Sequence, residues 1–136
     1  MPDYPRFTIN RCVILITPNQ PFFDWMMEVD LNPDPKLTLD EIRHDQDAFL
    51  IPDSIEFAED AVRWVERRWQ ALFEHLLNQW FAKSELWPKK PTLTMFREWF
   101  TITHYPTVWD LGTTRLTRED WSDASENDES PNGAIH

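Results

Sequence analysis

Ser54 to Lys83 is the longest run of this chain without proline or glycine, and its apolar residues recur every three or four positions. Ala58, Ala61, Val62, Val65, Trp69, Leu72, Leu76 and Trp80 would therefore lie on one stripe of a helix. Asp53 stands where an N-cap would, with Glu56 three residues on, and Glu59 and Arg63 have i,i+4 ion-pair spacing. Lys83 suits the negative end of the helix dipole, and Pro88 forbids continuation. A helix of this length would run about 45 Å, long for one domain, which invites a bend or break.

The segments around it supply strands and shorter helices. Phe7 to Thr17 is β-branched and apolar, and its continuous CVILI core predicts a central strand buried on both faces. Pro18 and Pro21 end it, and Pro21 to Val29 reads as a short helix with Phe22, Trp25, Met26 and Val29 inward. Two prolines make Asn32 to Lys36 a loop. Thr38 to His44 predicts a helical turn capped by Thr38 and Glu41, and Asp47 to Pro52 a second strand. After the connector Leu86 to Pro91, Thr92 caps another short helix with Met95, Phe96 and Trp99 inward. Phe100 to Leu111 makes a third strand, which Pro106 confines to an edge or a bulge. The expected fold is α+β: a two-layer sandwich of a small, about three-stranded sheet against one long helix and shorter ones. Residues 1–112 would form one domain. The acidic segment 113–136 would be a disordered tail.

Charge narrows the partners. A net charge of −11 and a pI near 4.6 disfavour direct nucleic-acid binding and anionic membranes, because both need clustered lysine and arginine. The same charge suits solubility or a basic protein partner. No run approaches the roughly twenty apolar residues of a membrane span, and the first ten residues do not read as a signal peptide. Cys12 is the one cysteine, which excludes an internal disulfide and points to a reducing, cytoplasmic location. Eight tryptophans and nine phenylalanines exceed what one stripe can bury. Phe23 and Trp64 lie off the main stripes and Trp87 lies in the connector, so these three are the expected partner-binding residues. A homodimer would be another way to hide the surplus.

Chemistry-bearing patterns are sparse. Glu41 and His44 have E-x-x-H spacing, but a carboxylate-bridged metal site needs two such motifs on separate helices. His75 borders the apolar stripe, where water or backbone satisfies it. His104 and Asp110 share one face of an unbroken strand, yet no nucleophile accompanies them. Cys12, inside the most apolar strand, reads as a small hydrophobe. Gly112 and Gly133 are the only glycines, so the glycine-rich loops that cradle phosphates are absent. No catalytic, cofactor or metal residue is assigned, and no cofactor is expected.

The segments INRC (Ile9 to Cys12), QPFFDW (Gln20 to Trp25) and LWPKKPTLTMFREWF (Leu86 to Phe100) resemble a family of small acidic bacterial proteins without assigned activity. The resemblance spans residues 8 to 112 and implies a bacterial cytoplasmic protein, with no functional residue to carry over. The expected function is a non-enzymatic protein-interaction or accessory module with an acidic surface. A narrower alternative is an inhibitor, immunity-type protein or nucleic-acid mimic on a basic partner. A further one is a small enzyme or metal protein using Glu41 and His44, or His104 and Asp110.

Overall fold

The computed structural model describes residues 4–122. The chain forms two compact units, Thr8–Trp109 and Met1–Phe7 with Asp110–His136. In chain order the elements are β1 (Phe7–Thr8), β2 (Arg11–Pro18), α1 (Gln20–Val29), α2 (Leu39–His44), β3 (Ala48–Pro52), α3 (Ala58–Glu66), α4 (Trp69–Trp80), α5 (Leu93–Trp99), β4 (Phe100–Tyr105) and β5 (Trp109–Asp110). A three-stranded sheet runs β3-β2-β4, with both neighbours antiparallel to β2. The fold is α+β, and the apolar β2 is the central strand, as its composition predicts.

Its environment differs from the prediction in one respect. Burial alternates along β2 instead of being continuous: Cys12, Ile14, Ile16 and Pro18 are buried, whereas Arg11, Val13, Leu15 and Thr17 stay half-exposed. The helices cover one face of the sheet. Phe22, Trp25 and Met26 of α1, Ile42 of α2, Ala61 and Val65 of α3, Phe73, Leu76 and Leu77 of α4, and Phe96 of α5 join Cys12, Ile14, Ile16, Ile51 and Phe100 in a single core. An antiparallel sheet can leave its second face open, which a sheet with helices on both sides cannot.

The stretch Ser54 to Lys83 is two helices. The chain breaks at Arg67 and Arg68, where Arg68 takes φ −118° and ψ 19°. The break leaves the Trp64 carbonyl without a helical partner, and the Arg68 guanidinium donates to it at 3.0 Å while lying 3.7 Å from the centroid of the Trp64 ring. α3 begins after Phe57, so Asp53 and Glu56 form no capping box there. Arg63 pairs with Asp60 instead of Glu59. The expected stripe survives the break: Ala61, Val65 and Leu76 are buried and Val62, Trp69, Leu72 and Trp80 half-buried, while Ala58 is exposed.

Local signals elsewhere hold. Thr38 and Glu41 form the predicted capping box at the start of α2, and the Thr92 hydroxyl accepts from the Met95 amide at 3.1 Å. Asn19 stitches three elements together: its amide donates to the Trp99 carbonyl at 2.8 Å, and its side-chain oxygen accepts from Thr101 and Arg43 at 3.1 and 3.3 Å. β4 ends one residue before Pro106 and lies at the sheet edge, as that proline requires. The rest of the expected third strand is separate: Trp109–Asp110 pairs with Phe7–Thr8 in a two-stranded sheet.

In the smaller unit, residues 4–7 and 110–122 are described. Arg6 stacks 5.3 Å over the Tyr4 ring, Asp110 accepts the Gly112 amide at 2.9 Å, and Asp120 accepts that of Ser122 at 2.9 Å. Residues 111–122 are exposed and carry no helix or strand. The acidic segment beyond residue 122 lies outside the described residues.

Candidate functional site

The three expected partner-binding aromatics do not stand free. Phe23, Trp64 and Trp87 are all half-buried and packed against the core. Trp64 is additionally covered by Arg68, and the Trp87 indole N–H donates to the Phe81 carbonyl at 2.8 Å. Part of the aromatic surplus is absorbed by ring-on-ring packing, whereas Phe7, Phe57, Trp109 and Trp121 stay exposed. Phe73 alone meets Trp69, Phe96, Trp99 and Phe100 at centroid distances of 6.5, 5.7, 5.4 and 5.7 Å. Trp25, the most buried tryptophan, donates its indole N–H to the Leu86 carbonyl at 3.0 Å and packs on Phe81 and Trp99.

The candidate catalytic groups are dispersed. The Glu41 carboxylate turns back to the Thr38 amide and hydroxyl at 3.1 Å, and His44 Nδ1 lies 2.7 Å from the Asp40 carbonyl, so the E-x-x-H pair is committed to its own helix. His75 packs edge-on against Phe49 of β3, with ring centroids 5.7 Å apart. His104 lies on β4 in register with Ile14 of β2, which faces Phe49 on its other side, so β2 separates the strand carrying His104 from the one His75 touches. His104 Nε2 is buried without a hydrogen-bond partner. Cys12 is completely buried, and its thiol lies 3.5 Å from the carbonyls of both Pro52 and Ile55. Burial pushes that thiol above its ordinary range, which keeps it protonated. Among the described residues no polar or charged residue is buried as a whole, and no three metal-binding side chains gather.

One constellation does assemble across the sequence. Asp45, which closes α2, and Asp47, which leads into β3, meet Gln79 and Trp80 at the end of α4 around a shallow cleft of about 220 Å³. Gln79 donates its amide to the Asp47 carboxylate and lies 3.4 Å from His75 Nε2. An inner recess of about 20 Å³ shares these walls and reaches Gln46, whose buried Oε1 has no partner. That volume accommodates one water molecule. The mouth offers carboxylate acceptors beside an indole, a combination suited to an ammonium or guanidinium group. Asp45 and Asp47 are visible in the sequence as acids beside Glu41, but nothing local places Gln79 next to them.

A second charged contact is structural. Arg97 of α5 grips Glu66 of α3 in a two-pronged pair, 2.9 Å at each oxygen. Those hydrogen bonds lower the Glu66 pKa, against the partial burial that raises it. Among the described residues no helix is long and apolar enough to cross a membrane. Compared with known proteins, the chain matches no family model, no curated protein and no solved structure.

Proposed function

We propose that this chain is a non-enzymatic protein-interaction module that takes a cationic segment of a partner protein on its acidic surface. The observation that carries the reading is the cleft of Asp45, Asp47, Gln79 and Trp80, which pairs two exposed carboxylates with an aromatic wall and lacks any buried ionisable group to act as acid or base. A partner's lysine or arginine would lie between the carboxylates with its stem along Trp80. The surplus of acid over base speeds encounter with a basic partner and makes the complex weaken with salt. The lone Cys12 remains a thiol in the reducing cytoplasm where this module would act.

An inhibitor or immunity-type role is a narrower form of the same reading. A nucleic-acid mimic is another form of it, since Asp24, Asp30, Asp34 and Glu41 keep their charge while each accepts a local hydrogen bond. The test is affinity capture from a native lysate at low salt, comparing the wild-type chain with Asp45→Asn combined with Asp47→Asn. A specific basic protein should be retained by the wild type, released as salt rises, and lost from the double variant. Equal retention by both proteins, or nothing reproducible at low salt, would refute it.

A further inference from the structure

The outer face of the three-stranded sheet carries a second, independent signal. Antiparallel register aligns Leu50 of β3, Val13 of β2 and Tyr105 of β4 in one row, and Ala48, Leu15 and Thr103 in the next. None of these side chains is buried: Val13 and Leu15 are half-exposed, Leu50 is 52% exposed and Tyr105 48%. A sheet with one solvated face ordinarily alternates apolar inward and polar outward. β2 alternates in burial, and in polarity only at its ends, Arg11 and Thr17. Val13 and Leu15 are as apolar as the Ile14 and Ile16 that point into the core, and neither belongs to the layer packed on that core.

Charge identifies the occupant. The chain has 24 acids, yet β2, β3 and β4 contain none. A cationic partner finds no carboxylate on these strands. A second copy, by contrast, brings −11 against −11, and it approaches closely only through a surface free of acid. A two-fold contact sets a patch against itself, so the patch must also be self-complementary. Two largely apolar rows, bordered by Thr17 and Thr101 on one side and by Arg11 on the other, meet that condition, with the hydroxyls of Thr17, Thr101 and Thr103 able to donate and accept across the axis.

We infer that this protein forms a homodimer by packing the outer faces of two sheets together, with the Leu50–Val13–Tyr105 row at its centre. Strands about 4.8 Å apart and about 20 Å long give a face of roughly 15 by 20 Å. With side-chain relief this buries on the order of 1,000 Å² in total, the small end of specific interfaces, so the dimer is weak, with a Kd in roughly the micromolar range. Self-repulsion then sets the sign of its salt dependence. Screening strengthens the dimer, whereas it weakens any complex with a cationic partner, so this inference and the proposed function fail separately.

The experiment is sedimentation velocity on the full chain from about 1 to about 300 μM, at about 50 and about 500 mM NaCl. The expected result is a shift from the 16.4 kDa chain toward twice that mass, with Kd falling at least about threefold at the higher salt. Leu50→Glu and Tyr105→Glu change side chains that are about half exposed in the single chain, so each should fold, as far-UV circular dichroism would verify. Each should weaken the dimer by at least about tenfold. Asp45→Asn should not weaken it. A chain that stays at 16.4 kDa throughout overturns the inference. So does a dimer indifferent to both glutamate substitutions, or one that salt dissociates. Hydroxyl-radical labelling covers the remaining occupant: a monomer in which Leu50 and Tyr105 are protected would mean that a segment of the same chain covers the face, which also overturns it.

Discussion

Truncating Phe73 to alanine removes the ring that meets more aromatic neighbours than any other among the described residues. Phe73 is 1% exposed, so the neighbours must either collapse or leave a cavity. Burial of a phenylalanine plus the residual cavity sets the cost of Phe→Ala at about 3–5 kcal/mol. Four ring contacts, each adding roughly 0.5–1.5 kcal/mol beyond area, place this site in the upper half of that range, near 4 kcal/mol. For a body of about a hundred residues that lowers Tm by about 20 °C, and it removes a large fraction of a typical total of about 5–15 kcal/mol. Phe73→Leu retains most of the volume and loses the ring geometry, so about 1.5 kcal/mol is expected. The assay is urea unfolding followed by tryptophan fluorescence, since Trp69 and Trp99 touch the ring directly. Values near 4 and 1.5 kcal/mol with unchanged m would support the packing described. A loss below about 1.5 kcal/mol for the alanine variant at the same m would refute it, as would equal losses for the two variants.

Two further predictions concern polar atoms in the core layer. Cys12 should resist thiol reagents in the native protein and react only on unfolding. Because burial raises its pKa in the folded state, its contribution is complete below the unfolded thiol pKa of about 8.5 and is lost as pH rises through the folded value. Stability measured from pH 8 upward should therefore fall more steeply for wild type than for Cys12→Ala; parallel curves would contradict this. Replacing His104 by leucine removes the buried Nε2 that lacks a partner, and a gain of roughly 1 kcal/mol in chemical denaturation is expected. A loss of that size would show that the imidazole makes a stabilising contact.

Much of the architecture is legible in local sequence because local physics decides it. The Thr38–Glu41 box and the Thr92 cap depend on residues three apart, and Pro106 ends a strand by lacking a donor. The central position of β2 follows from the apolar density of CVILI. Where several local signals compete, tertiary contact arbitrates. Asp53 and Glu56 could start a helix, but Asp53 and Ser54 form a turn, closed by the Ile55 amide on the Pro52 carbonyl at 3.2 Å, and the helix begins after Phe57. The expected single helix breaks at Arg67 and Arg68, where Arg68 satisfies the carbonyl that the break frees.

Phe23, Trp64 and Trp87 are half-buried instead of exposed for a related reason. Helical spacing identifies a side chain's direction from its axis, not what another element has placed there, and here all three pack partly against the core, with Arg68 over Trp64. The cleft joins Asp45 and Asp47 to Gln79 across more than thirty residues, and the outer sheet face unites Leu50, Val13 and Tyr105 from three strands. Sequence alone determined the central strand, the Thr38 and Thr92 caps and the acidity, because each depends on residue type or on neighbours a few positions apart. Only the tertiary structure decided which carboxylates meet and which apolar face stays open, because both depend on how helices and strands distant in sequence pack against one another.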